Sequence, residues 1–181
     1  MPPAEIPDHP RPPDPRPSVS TRSAALSRAA KRSFGGLLPL LDDPDLRDLI
    51  VQVRGGAARL WLDRCGALQE VPDWQADPEA VHGLATGLIA AGGRHLDELH
   101  PCADVRLGDG IRVHAVLPPI AVEGAAVSIR LPRISPPRFD ELVAGGLCAT
   151  STAEMLRRVI IDRSNILITG GTGSGNTTWD L

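Results

Sequence analysis

The chain has 181 residues, of which 42% are hydrophobic, enough to bury a core in one domain and part of a second. Its formal net charge of -3 argues against a generic nucleic-acid binder, and no direct nucleic-acid partner is expected. Lys31 is the only lysine, so the positive charge is almost entirely arginine. Cys65, Cys102 and Cys148 are widely spaced, which excludes a C-x-x-C zinc or disulfide framework and predicts small apolar core thiols in a reducing compartment. The start of the chain lacks the apolar core of a signal peptide, and no run approaches the roughly 18 apolar residues of a membrane span.

In chain order, residues 1–18 are dense in proline and charge and predict a disordered tail. Residues 19–35 predict a short basic, solvated helix, TRSAALSRAAKR, with Ser20 as its cap. From residue 36 to 135 the pattern is that of an α/β domain. GLLPLLDD predicts a short helix, and LRDLIVQV and ARLWLDR predict two strands around Gly55-Gly56. Asp77 stands before PEAVHGLATGLIAAGG, whose Val81, Leu84, Leu88 and Ala91 recur at helical spacing. HLDELHP predicts a further helical turn. ADVRL, IRVHAVL and AAVSIRL predict three strands joined through Asp109-Gly110 and Glu123-Gly124. Residues 136–181 predict two helices, RFDELVAGG and STAEMLRRVIIDRS, the second with a serine cap. NILITGG then predicts a short buried strand running into a glycine loop.

That loop, GGTGSGNTT at 170–178, fits the phosphate-binding pattern G-x-x-x-x-G-K-[ST] at every fixed position but one. Gly170, Gly171, Thr172, Gly173, Ser174, Gly175, Asn176, Thr177 and Thr178 are candidate nucleotide-binding residues. A strand fixes one end of such a loop and a helix N-terminus presents amide N–H groups to the phosphates. Thr177 is placed to offer its hydroxyl to magnesium. Asn176 stands where the pattern has lysine, and a neutral amide cannot supply the ammonium's charge. Losing such a charge-assisted contact costs roughly 2–4 kcal/mol, about 30- to 1000-fold in affinity.

RVHAVLPPIAVEGAAVSIR, LVAGG and RSNILITGGTGSGNTT together resemble the ATPases of the type II/type IV secretion superfamily. LLDDPDLRDLIVQV, ARLWLDR, HPCADVRLGDGIRV and the Pro118-Pro119 step fall in the same order. The likeness is greatest to the TadA/CpaF branch, which serves Flp-type tight-adherence pili and conjugation-related transfer. The resemblance covers about residues 36–178. It implies an N-terminal α/β domain followed by the first strand and loop of a RecA-like domain, with ATP and magnesium as cofactors. It also implies a hexameric, cytoplasmic motor, or one peripheral at the inner face of the cytoplasmic membrane, working with sister subunits and inner-membrane platform proteins.

In that family, N-terminal-domain arginines reach the nucleotide phosphates, and Arg112 and Arg130 occupy the matching motifs. Phosphate contact and a surface ion pair are both open readings for them. His114 stands where the branch has asparagine and is expected to pack; Asp104 and Asp109 are expected to be structural or solvated. The family's catalytic glutamate, Walker B segment and histidine box follow the loop and are not among these residues, so no catalytic residue is assigned. Hydrolysis and hexamer formation by these 181 residues alone are not expected. A non-enzymatic reading stands beside the motor: a vestigial or regulatory module that binds full-length ATPase subunits or the secretion platform. A small-molecule kinase is a third and weaker class, because its loop would lie near the start of the domain.

Overall fold

The computed structural model describes residues 21–64, 66–134 and 138–171. The chain divides into two compact units, Met1–Ile134 and Ser135–Leu181.

The first unit is a two-layer α/β structure built on one sheet. Its strands are β1 (Leu46–Arg54), β2 (Ala57–Arg64), β3 (Ala67–Glu70), β4 (Cys102–Leu107), β5 (Ile111–Val116) and β6 (Ala126–Arg130). They lie in the order β3-β2-β1-β6-β5-β4, and every neighbouring pair is antiparallel. Strict alternation drives this arrangement. In β5, Ile111, Val113 and Ala115 are buried while Arg112 and His114 are exposed. β4 alternates in the same way, with Ala103, Val105 and Leu107 inward.

The inward face is covered by helix α1 (Arg28–Phe34), a 3-10 segment at Gly35–Asp42 and helix α2 (Pro78–Ala91). α2 sends Val81, Leu84, Ala85, Leu88 and Ile89 into the core, the 3.6-residue stripe its sequence predicts. Asp77 occupies its N-cap position, although the side chain makes no capping hydrogen bond. Several local expectations are corrected. The basic helix begins later and is capped by Ser27, whose hydroxyl accepts from Ala30 N–H at 3.1 Å; Ser20 lies outside the described residues. That helix is also less solvated than expected, because Leu26, Ala30 and Phe34 are buried against the core. HLDELHP forms no helix: the Asp97 carboxylate accepts from the backbone N–H groups of Leu99 and His100, at 3.0 and 2.7 Å, and closes a turn instead. β3 is an element that its sequence does not predict. Cys102 is exposed and Cys148 half-buried, so neither is a core thiol, and both are free; Cys65 lies outside the described residues.

Arg22 is the one buried charged residue described. Its guanidinium donates to the carbonyls of Pro132, Leu41, Asp43 and Leu46 at 2.7, 2.8, 2.8 and 3.3 Å. It thereby ties the start of the described chain, the entry to β1 and the exit from β6 together. Burial pushes its pKa down, a shift reinforced by Arg47 and opposed by Asp42 and Asp43.

The second unit contains α3 (Phe139–Ala144) and α4 (Thr150–Ile161). Glu141 accepts from the Arg138 backbone N–H at 3.0 Å, closing the first turn of α3. Arg157 pairs with Asp140 and stands 5.1 Å from the centroid of the Phe139 ring. α4 starts one residue before the expected serine cap, with Ala149 at its N-cap position and no side-chain cap. Residues 165–171, expected as a strand, have no regular secondary structure, and no strand lies beside them among the described residues. No described helix is long and apolar enough to cross a membrane.

Candidate functional site

The open face of the sheet carries the candidate site. Arg112 on β5 and Arg130 on β6 are direct Cα partners, so their side chains leave the same face side by side. Both are exposed. Neither side chain makes a hydrogen bond or ion pair to another described residue. No described carboxylate lies within ion-pair distance of either side chain, although Asp48 on the neighbouring strand interacts electrostatically with Arg130.

The same register extends in both directions. Arg106 on β4 is the partner of Arg112, and Asp48 on β1 is the partner of Arg130. Asp63 on β2 follows Asp48. Five adjacent strands thus present the row Arg106, Arg112, Arg130, Asp48, Asp63. Burial pushes the Asp48 carboxyl above its ordinary range, Arg130 pulls it back down and Asp63 pushes it up again. One step along the strands, His114 meets Asp104 across β4 and β5, Nδ1 to Oδ1 at 2.9 Å. His114 is thus an exposed hydrogen-bonding side chain rather than a packed one.

The row lies outside the two larger clefts described. Those clefts, of about 520 and 600 Å³, are lined around Arg59, Glu70 and Trp74 and around Arg54, Trp61 and Glu123. The described residues contain no group of three or more His, Cys, Asp or Glu side chains that could hold a metal ion.

Of the loop candidates, Gly170 and Gly171 fall in the second unit and are exposed. Thr172, Gly173, Ser174, Gly175, Asn176, Thr177 and Thr178 lie outside the described residues. The structure therefore joins Arg112 to Arg130, and adds Arg106 and Asp48, which sequence reasoning missed. Arg106 had a usable signal: the Gly108-Asp109-Gly110 turn pairs Leu107 with Ile111, and counting one step outward pairs Arg106 with Arg112. Asp48 had none, since β1 and β6 are far apart in the chain.

The first unit is thus an antiparallel sheet covered on one face by helices, with paired arginines on the other. The sequence profile of the type II/IV secretion system protein family matches residues 48–179, and the chain belongs to that family. A putative conjugal transfer protein of Mycobacterium tuberculosis (strain H37Rv) is 34% identical over 150 residues, covering 80% of this chain and 42% of that protein. The conjugal transfer protein TrbB of Rhizobium radiobacter is 32% identical over 157 residues, covering 84% of this chain and 46% of that protein. The chain spans less than half the length of either relative. In fold, it is similar to the VirB11 ATPase of the Brucella suis type IV secretion system, solved with sulphate. The TM-score is 0.56 at 23% identity, over 83% of this chain and 52% of that one. The expected α/β class is thereby established.

Proposed function

We propose that this chain is the phosphate-contacting part of an ATPase that powers pilus assembly or type II/IV secretion, of the TadA/CpaF kind. Residues 36–135 are its N-terminal α/β domain, and 136–181 open its RecA-like domain. Arg112 and Arg130 hold nucleotide phosphates, the loop 170–178 cradles them, and Thr177 offers a hydroxyl to magnesium. The observation that supports this reading is the pairing of Arg112 with Arg130 on one face of the sheet, with no side-chain hydrogen bond or ion pair for either among the described residues. Guanidinium forks suit phosphate oxygens, which they meet bidentately. The partners on this reading are sister ATPase subunits and the inner-membrane platform, on the cytoplasmic side.

Asn176 sets the expected strength. With a neutral side chain at the lysine position, ATP affinity is expected near millimolar, about -4 kcal/mol. Calorimetric titration of magnesium-ATP into the chain and into an Asn176→Lys variant tests the reading. The variant should bind about 30-fold tighter or more, and Arg112→Gln or Arg130→Gln in that variant should each weaken binding about tenfold. ATP affinity indifferent to both arginines would overturn it.

The second unit favours a binding role alongside this one. Met155, Ile161 and Leu167 are 55%, 78% and 87% exposed, apolar side chains available to a sister subunit. Co-sedimentation of the chain with a full-length family member should detect the association, and its absence at micromolar concentrations would dismiss this second role.

A further inference from the structure

The outer row of the sheet has a polarity that neither arginine explains alone. Arg106, Arg112 and Arg130 are successive cross-strand partners, followed by Asp48 and Asp63. Neighbouring strands lie about 4.8 Å apart, so the first and third guanidinium stems leave the sheet roughly 10 Å apart. Like charges directly opposite one another are destabilising in a sheet. Two other arginines of this domain do have carboxylate partners: Arg59 meets Glu70 at 2.8 Å, and the half-buried Arg64 meets Asp43 at 2.8 Å. The three arginines of the row make no such contact among the described residues. The carboxylate nearest in register, Asp48, faces only the last of them and is half-buried.

Three parallel positive stems with a negative flank match an elongated anion bearing charge at several points along its length. A linear chain of phosphates has that form and can meet all three guanidinium groups without crowding them together. Asp48 and Asp63 repel such a chain at the other end of the row and confine it to the arginine half. Asp48 also offers Arg130 a charge within the protein. An incoming phosphate must compete with it.

We propose that Arg106 completes, with Arg112 and Arg130, a three-guanidinium row that takes a linear polyphosphate chain, and that Asp48 limits its affinity by competing for Arg130. The identity of the natural ligand as a nucleotide rests on the function proposed above; the row itself does not. Arg106 is a binding residue in this scheme, and Asp48 a tuning one.

The test is calorimetric titration of the whole 181-residue chain at low salt with sodium tripolyphosphate, and separately with ATP. Arg106→Gln is expected to weaken tripolyphosphate binding as much as Arg112→Gln, about tenfold each. Arg106→Lys should recover most of that loss, because the charge returns. Asp48→Asn is expected to tighten binding about threefold or more, and Arg59→Gln, outside the row, to leave it unchanged. Thermal melts within a few degrees of the parent show that each variant is folded. The proposal is overturned if Arg106→Gln binds tripolyphosphate like the parent, if Asp48→Asn does not tighten it, or if the Asp48→Asn chain fails to bind it. ATP that cannot displace bound tripolyphosphate would leave the row standing and remove the nucleotide reading. ATP binding that needs Arg112 and ignores Arg106 would do the reverse.

Discussion

The two units of this chain bury their apolar residues very differently. In the first, both the helices and one whole face of the sheet close on a common core, in which Leu41, Leu46, Leu49, Val51, Leu88, Ile89 and Ile129 are fully or almost fully buried. In the second, Ala153 is the one apolar residue buried among those described, while Met155, Ile161 and Leu167 stand in solvent. The two sequences are similar in kind: α4 has the composition of an ordinary amphipathic helix. What differs is whether another layer lies against the apolar face. Burial of apolar surface stabilises by about 25 cal/mol per Å², and only the first unit collects it on a large scale. The arginine row benefits, because a sheet fixed by a core on one side holds the outward side chains of the other in register.

Hydrogen exchange is the broadest way to break this contrast. Amides of β1, β5 and β6 are expected to be protected about a thousandfold or more beyond those of α4. Comparable protection in α4 would mean that the second unit is stabilised by something other than its own burial. Arg22 is the sharpest single lever in the first unit. Arg22→Ala removes the guanidinium's hydrogen bonds to the carbonyls of Leu41, Asp43, Leu46 and Pro132, and should cost about 3 kcal/mol, lowering Tm by roughly 10 °C or more. A shift of a degree or two would show that water replaces the guanidinium freely.

Gly92 tests how tightly the layers meet. A Cβ there would sit 2.3 Å from Val105 Cβ, so Gly92→Ala must push the end of α2 away from β4. A loss of about 1–3 kcal/mol in urea unfolding is expected; a neutral effect would mean that the layers slide apart easily. Asp48 provides the pH-dependent member of the series. Its folded pKa is raised by burial, so its ionisation lowers stability at pH values above that raised value. The penalty fades as pH falls through it. Asp48→Asn should therefore stabilise the chain at pH 7, by less than about 1 kcal/mol, with the gain vanishing below about pH 4. Equal stabilisation at both pH values would point to packing instead of charge. The smallest effect belongs to the second unit. Asp140→Asn breaks an exposed pair with Arg157 and should change the protection of α4 amides by less than about twofold.

Much of the first unit was legible because its strands alternate cleanly and its turns are marked by glycine. Ile111, Val113 and Ala115 against Arg112 and His114 announce a half-buried strand by alternation alone. β3 escaped notice because Ala67–Glu70 has no apolar face; all four residues are exposed, and the strand exists through its pairing with β2. The mistaken helical turn at 95–101 has a different cause. The Asp97 side chain offers its backbone neighbours a closer acceptor than a helix would.

The amino-acid sequence by itself determined the local geometry: the period-2 strands, the 3.6-residue stripe of α2, the hairpin between β4 and β5, and the glycine spacing of the loop at 170–178. These depend on neighbours a few residues away, where sterics and alternation leave little choice. Tertiary structure alone decided that β6 lies beside β1 rather than at an edge. That non-local pairing puts Asp48 against Arg130 and turns two motif arginines into part of a five-strand row. A register between distant strands is chosen by the shared core beneath them, through the burial of Leu49 and Val51 opposite Ile129 and Val127. The charges on the open face are carried into line by that choice.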